Sequence, residues 1–408
     1  MNNKEKRINS FTELKFGMFA HYGLYSLLGK GEWALNDLRL DKPEYEALTK
    51  QFTAEKFDAK NIISEAKNAG AKYFVLTTRH HDGFSLYDTK GINTYDAPHS
   101  ACKRDLVYEF VDACAIYDVK PVFYHTMFDW YTGRGEMDMS EYLQYLRASV
   151  EVLCKNYGDI AGFWFDGTWR EKGDVWELDK LYSMVRKYQP NTIITNNSGL
   201  DARGELLHKD IDCVTFERGR LDRSISDAHG TKIAGEMCEV IQSHWGYAKN
   251  DINSKSMANL LGSYLTSLKY GANFLLNVSP KGDGSLRLID RAILESFGTW
   301  HNFYGEAVDK TRFYKNSNGS DDFCFINDAG EMYIFISGVC SGGDANVSLP
   351  NDDKNKVSFA GMDKKITSME WLDNSAPVSF DQENDNVTIY PNKFPYGTDL
   401  IVRVAKAK

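Results

Sequence analysis

The 408-residue chain contains no long run of lysine or arginine, and its formal net charge is −9. It lacks the basic patch with which duplex binders and membrane-surface binders hold phosphate, so neither nucleic acid nor membrane is expected as a partner. No stretch approaches the ~20 consecutive apolar residues that a spanning helix needs. Met1 to Phe11 (MNNKEKRINSF) holds no apolar segment of the kind a signal peptide carries. The seven cysteines are odd in number and scattered, without a C-x-x-C pair. They read as buried free thiols of a reducing cytoplasm rather than a disulfide framework or a zinc site. Also absent are a phosphate loop, a G-x-S-x-G turn and a nucleotide-binding G-x-G-x-x-G; Gly29-x-Gly31 has no strand before it. No cofactor and no metal are expected, and the expected location is cytoplasmic.

What is present is a chain long enough for a large core and one smaller domain. Its 23 Tyr, 23 Phe and 8 Trp suffice for that core and for lining a sugar-sized pocket. From about residue 16 to 305, short apolar runs alternate with amphipathic segments. The strand candidates are Phe16–Ala20, Tyr73–Thr77, Pro121–His125, Ala161–Phe165, Thr192–Thr195, Asp212–Phe216, Ile233–Cys238 and Asn273–Val278. Between them, Ala59–Ala69, Leu106–Tyr117, Glu141–Tyr157 and Leu178–Tyr188 repeat apolar residues at the three-to-four spacing of a helix with one buried face. The alternation predicts an α/β fold, a (β/α)8-like barrel. Its later repeats are expected to be irregular, because 195–212 has room for at most a short helix and 218–232 reads as loop.

After Ala307 the helical period stops. Glu331–Ile336, Val387–Tyr390 and Asp399–Val404 alternate instead, separated by turn clusters at Asn316–Asp322, Ser341–Asn346 and Asn384–Asn386. This predicts a C-terminal antiparallel β-sandwich over 308–408, following a catalytic barrel over 1–307.

Active residues of such barrels gather where strands end. Here polar groups close nearly every run: His21 and Tyr22, Arg79 to Asp82, Tyr124 and His125, Asp166, Asn196 and Asn197, and Glu217, with Glu236 and Asn277 inside the last two runs. Phe163-Trp164-Phe165-Asp166-Gly167 ends an apolar strand on an acid followed by a residue free to turn. From the residues alone Asp166 is a nucleophile, a base, a metal ligand or a helix cap. A metal-dependent hydrolase using His80, His81 and Asp166 is one reading, but adjacent histidines point apart and do not converge on one ion. Imidazoles here suit hydrogen bonds to hydroxyls better.

The ordered set Phe16-Gly17-Met18-Phe19-Ala20-His21-Tyr22-Gly23, Glu32-Trp33, His80-His81-Asp82-Gly83-Phe84, Trp164-Phe165-Asp166-Gly167, Glu236-Met237-Cys238, Trp245-Gly246-Tyr247 and Asn277-Val278-Ser279-Pro280 resembles the retaining α-L-fucosidases of glycoside hydrolase family 29. A barrel followed by a β-sandwich is also what that family shows. The resemblance implies an exo-acting retaining α-L-fucosidase whose partner is a fucosylated oligosaccharide or glycoconjugate. It implies Asp166 as nucleophile, His21, His80 and His81 on fucose hydroxyls, Glu32, Trp33 and Tyr124 about the sugar, and Trp245 against its C5 methyl. For the acid/base, Glu217 is preferred and Glu236 is the alternative, otherwise a buried or substrate-side hydrogen-bonding residue. Where many members carry Asn-Asp-Arg after the fifth strand, this chain has Asn196-Asn197-Ser198, and the family arginine near the nucleophile has no evident counterpart. Residues 128–136 and 218–231 are expected to shape the aglycone site. A non-catalytic fucose-binding protein, or an enzyme transferring fucose to another sugar, is the remaining alternative.

Overall fold

The computed structural model describes residues 2–133, 137–168, 176–219, 221–225, 232–337, 356–391 and 402–408. It divides into two compact units, Met1–Ser267 with Ala272–Glu295, and Leu268–Gly271 with Ser296–Lys408. That division falls within the helix Leu288–Tyr304, slightly before the boundary expected from the sequence.

Strands of a parallel sheet covered on both faces need apolar side chains in both directions, which is why they read as unbroken apolar runs. Eight such strands close into a barrel in sequence order: β1 (Phe16–Ala20), β2 (Tyr73–Arg79), β3 (Lys120–Thr126), β4 (Gly162–Asp166), β5 (Ile193–Asn196), β6 (Cys213–Glu217), β7 (Ala234–Val240) and β8 (Ala272–Val278). All adjacent pairs are parallel, and β8 returns to β1 with Phe16 opposite Phe274. The helices Ala59–Asn68, Leu106–Tyr117 and Met139–Asn156 each start at an aspartate whose carboxylate accepts a backbone N–H three residues on, from Asn61, Tyr108 and Glu141. The repeat is irregular where expected: residues 197–212, between β5 and β6, hold no helix.

Side chains on a strand alternate in direction, and the inward set packs as one cluster containing Phe19, Tyr73, Val75, Val122, Tyr124, Trp164, Ile193, Cys213, Cys238 and Leu275. A helix missed in the sequence, Asn3–Thr12, adds Ile8 and Phe11 to that cluster at the ends where the strands begin. Asn2 and Glu5 form its capping box. The Phe11 ring lies 5.1 Å from Tyr73, and Asn273 Nδ2 donates to the Phe11 carbonyl at 2.7 Å. The helix thus covers the end of the barrel where the strands begin.

In the second unit, β9 (Thr311–Asn316), β10 (Phe323–Asn327), β11 (Met332–Ser337), β12 (Val357–Phe359), β13 (Met369–Trp371), β14 (Ser379–Glu383), β15 (Asn386–Tyr390) and β16 (Val402–Ala407) form two antiparallel sheets, ordered β13-β16-β11-β10-β9 and β12-β15-β14. Arg403, 1% exposed, is held by Asp373 at 2.7 and 2.9 Å with its guanidinium 3.9 Å from the Trp371 ring. The turn expected at Ser341–Asn346 lies outside the described residues, as does the first part of the strand expected at Asp399–Val404. Among the described residues no helix is long and apolar enough to cross a membrane.

Candidate active site

At the open end of the barrel the inward alternation brings Asp166 of β4 and Glu217 of β6 to a shared amide. Asn197, just past β5, donates from Nδ2 to Asp166 Oδ1 at 3.1 Å and to Glu217 Oε2 at 2.8 Å. The amide cannot be turned over. Its oxygen already accepts from Thr215 Oγ1 at 2.9 Å and from the Gly199 N–H at 3.2 Å, so the nitrogen faces the carboxyls. Both bonds meet at one nitrogen, so these two oxygens lie within about 6 Å of each other. That closeness fits retaining glycosidases, whose carboxyls stand about 5–5.5 Å apart, and not inverting ones, at roughly 6.5–9.5 Å.

The two carboxyls have different surroundings. Asp166 Oδ2 accepts from the Tyr124 hydroxyl at 2.9 Å and faces His81 Nε2 at 3.2 Å, and Oδ1 accepts from Asn197, so donors reach both oxygens of the carboxylate. Gly167, at φ +102°, turns the chain away directly after it, a conformation that costs a side-chained residue strain. A Cβ there would also stand 3.3 Å from His81 Cε1. Glu217 accepts from Asn197 and, at 3.2 Å, from Trp245 Nε1. Burial, and next the charge of Asp166, push its carboxyl above the ordinary value, partly opposed by Asn197, Arg218 and Trp245.

Around this pair stand the residues expected from the sequence. Asn277 Nδ2 donates to the Trp245 carbonyl at 2.7 Å, which leaves its Oδ1 to accept from His21 Nδ1 at 2.7 Å. His21 therefore carries its lone pair on Nε2, and burial holds it neutral by lowering its pKa to about 3. His80 is also held neutral by burial, with His81 and His21 adding to the effect. Its ring stacks on Tyr124 at 5.5 Å, and its Nδ1 is buried without a hydrogen-bond partner. The Trp245 ring lies 5.2 Å from that of His21. Glu32 Oε2 accepts from the Gly246 N–H at 2.8 Å and so braces the Trp245 loop, while Trp33 packs edge-on against His81 and Trp130. Among the described residues His80, His81 and Asp166 do not converge as a ligand set; the one His/Cys/Asp/Glu trio that does is Asp179, His208 and Asp210.

Glu236 is elsewhere. Thr215 pairs with Glu236 and Glu217 with Cys238, so Glu236 sits two residues deeper in the barrel, fully buried. Its oxygens accept from Tyr73 Oη at 2.5 Å and Trp164 Nε1 at 2.8 Å. It has no surface for substrate, and the expectation of Glu236 as acid/base or sugar contact gives way to the buried hydrogen-bonding one. The sequence placed Asn197 and Asn277 among the polar groups at the strand ends and Trp130 within a loop expected at the aglycone side, but assigned none of the three an individual role. Asn277 was visible as a polar residue inside an apolar strand. Of the two loops expected at the aglycone side, 134–136, 220 and 226–231 lie outside the described residues.

Burial raises the Glu236 carboxyl to about 7 from an ordinary 4.5. Protonated, it can donate to the Tyr73 hydroxyl oxygen. Between pH 4.5 and 7 the folded chain keeps a proton that the unfolded chain has lost, so stability falls as pH rises through this window. Glu236→Gln removes that slope and is expected to be stabilised relative to the parent by up to about 3 kcal/mol at pH 8, with little difference near pH 4.5. Urea midpoints across pH 4.5–8.5 measure it, and parallel curves for the two proteins would refute it.

A closed parallel barrel with paired carboxyls at its open end defines a (β/α)8 glycoside hydrolase. The family model for alpha-L-fucosidase matches residues 1–306. Tissue alpha-L-fucosidase of Bos taurus is 26% identical over 330 residues, covering 73% of this chain and 68% of that protein. A putative alpha-L-fucosidase of Caenorhabditis elegans is 22% identical over 425 aligned positions, 96% of this chain and 83% of its own length. The structure of alpha-L-fucosidase isoenzyme 1 from Paenibacillus thiaminolyticus superposes with a TM-score of 0.86 at 25% identity, covering 100% of this chain and 99% of that one. The chain belongs to the alpha-L-fucosidase family. It is a glycoside hydrolase acting on α-linked L-fucose.

Proposed function

We propose that the enzyme releases terminal fucose from fucosylated oligosaccharides or glycoconjugates with retention of configuration, through a covalent ester on Asp166. The observation that carries this reading is the single Asn197 amide hydrogen-bonded to both carboxyls, which holds them at the close separation of a double displacement. In the first step an Asp166 oxygen bonds to C1, the C1–aglycone oxygen bond breaks with its electron pair, and Glu217 gives that oxygen its proton. Esterification removes the charge of Asp166, one of the causes that raise Glu217. Glu217 thereby becomes a readier carboxylate, takes a proton from water, and the resulting hydroxide displaces Asp166 from C1. The neutral imidazoles of His21 and His80 suit ring hydroxyls, His21 Nε2 as acceptor, and the Trp245 face suits the apolar C5-methyl edge.

A cytoplasmic site of action is supported by the thiols: Cys102, Cys114, Cys154, Cys213, Cys238 and Cys324 are all buried and unpaired. Proton NMR of the enzyme acting on α1,2-, α1,3-, α1,4- and α1,6-fucosylated oligosaccharides tests the proposal. The α-anomer of free fucose should appear first and equilibrate afterwards. A first-formed β-anomer would exclude the double displacement and the role of Asp166 in it.

A further inference from the structure

Glu217 passes its proton to the leaving oxygen, so the aglycone departs on its side of the pocket. Arg218 follows it in the chain, with its guanidinium 5.1 Å from the Trp245 ring and Nη2 donating to the Ser243 carbonyl at 2.7 Å. Ser243 and His244 lead into Trp245 and line a groove of about 330 Å³, within the roughly 300–1,000 Å³ of small-ligand pockets. The groove is built from two loops paired through their backbones, Gly31 N–H to Tyr247 at 3.0 Å and Lys249 N–H to Gly29 at 2.9 Å.

Its most constrained side chain is His244. Asp251 Oδ2 accepts from the Ser243 N–H at 2.8 Å, the His244 N–H at 3.1 Å and His244 Nδ1 at 2.7 Å. With the Nδ1 proton committed to Asp251, Nε2 is left as the acceptor. The ring also lies against Gly31, at φ +89°, so closely that a Cβ there would come 2.8 Å from His244 Cδ2. Yet the side chain is 46% exposed. A loop histidine open to solvent ordinarily samples several rotamers; this one is fixed, so little conformational freedom is lost when a ligand hydroxyl meets it. Lys30, Asn250 and Asn253 line the same groove and supply further donors and acceptors. Donors and acceptors spaced along the groove, from Lys30, His244, Asn250 and Asn253, match sugar hydroxyls.

We propose that this groove is the subsite for aglycone sugars beyond the one bonded to fucose, with His244 as its fixed acceptor. The assignment rests on Glu217 as the acid/base. The test compares His244→Ala and Lys30→Ala with the parent on two substrates. One is an aryl α-L-fucoside, which has no sugar in its aglycone. The other is a fucosylated tetrasaccharide, which has three. The groove predicts about a 10-fold fall in kcat/KM on the tetrasaccharide for His244→Ala, carried mainly by KM, a smaller fall for Lys30→Ala, and less than about twofold change on the aryl fucoside. Unchanged tetrasaccharide kinetics in both variants would overturn the subsite. So would equal losses on the two substrates, because they would place the effect in the chemistry. Failure of the Glu217 assignment is read in a different protein, the Glu217→Ala variant, and is thereby told apart.

Discussion

Asp166→Ala should lower kcat by about 10⁴-fold or more on every α-L-fucoside, with the fold and fucose binding retained. The loss is large because no other carboxyl can take over. Glu217 is committed to the departing oxygen, and both oxygens of Glu236 are occupied in the barrel core. The groups around Asp166 remain: the Tyr124 hydroxyl, His81 Nε2 and Asn197 Nδ2 converge on the volume its carboxylate occupied. A small anion fits such a place. Added azide or formate should restore part of the rate, and azide should do so by attacking C1 from the face that Asp166 used. The product is then β-fucosyl azide, inverted relative to the substrate. Near-parental turnover in the variant, or rescue giving only the α-azide, would remove Asp166 from the nucleophile's place.

The barrel was legible because its strands are buried on both faces, and all eight expected runs form strands with no end shifted by more than two residues. Asp166 and Glu217 were legible for a related reason, as acids closing apolar runs at the end of the barrel where chemistry occurs. Glu236 was not separable from Glu217 by that rule, since it too lies in an apolar run whose exact end the sequence does not mark. Only the β6–β7 register, with Thr215 and not Glu217 opposite Glu236, reveals which acid reaches the rim. Asn197 was obscured differently. Its role exists only once β4 and β6 bring carboxyls from distant parts of the sequence to either side of β5. The N-terminal helix went unread because just Ile8 and Phe11 of its ten residues are buried, too few for an apolar period. Its capping box, Asn2 with Glu5, was the available sign.

Glu217→Ala should separate substrates by their leaving groups. An aglycone such as a nitrophenolate leaves without a proton, so formation of the ester on Asp166 should slow little, whereas a natural glycan, whose oxygen must be protonated, should lose about 10²–10⁴-fold. With the activated substrate the ester then accumulates, because Glu217 is also the base that draws a proton from water, and a pre-steady-state burst of nitrophenolate should appear. Azide needs no base. It should accelerate the second step and, attacking the ester from the face opposite Asp166, yield α-fucosyl azide, the anomer opposite to that expected from Asp166→Ala. The pH profile should change with it. Burial and the charge of Asp166 raise the Glu217 carboxyl, so the parent's alkaline limb reflects loss of this proton, and that limb should vanish in the variant. Glu236→Ala is the control: it opens a void beneath Trp164 and leaves Tyr73 without its acceptor, so it should weaken stability and depress both substrates alike. If instead Glu236→Ala showed the leaving-group discrimination and the α-azide, and Glu217→Ala showed neither, the acid/base would be Glu236, and the β6–β7 register that sets it below the rim would not be that of the working enzyme.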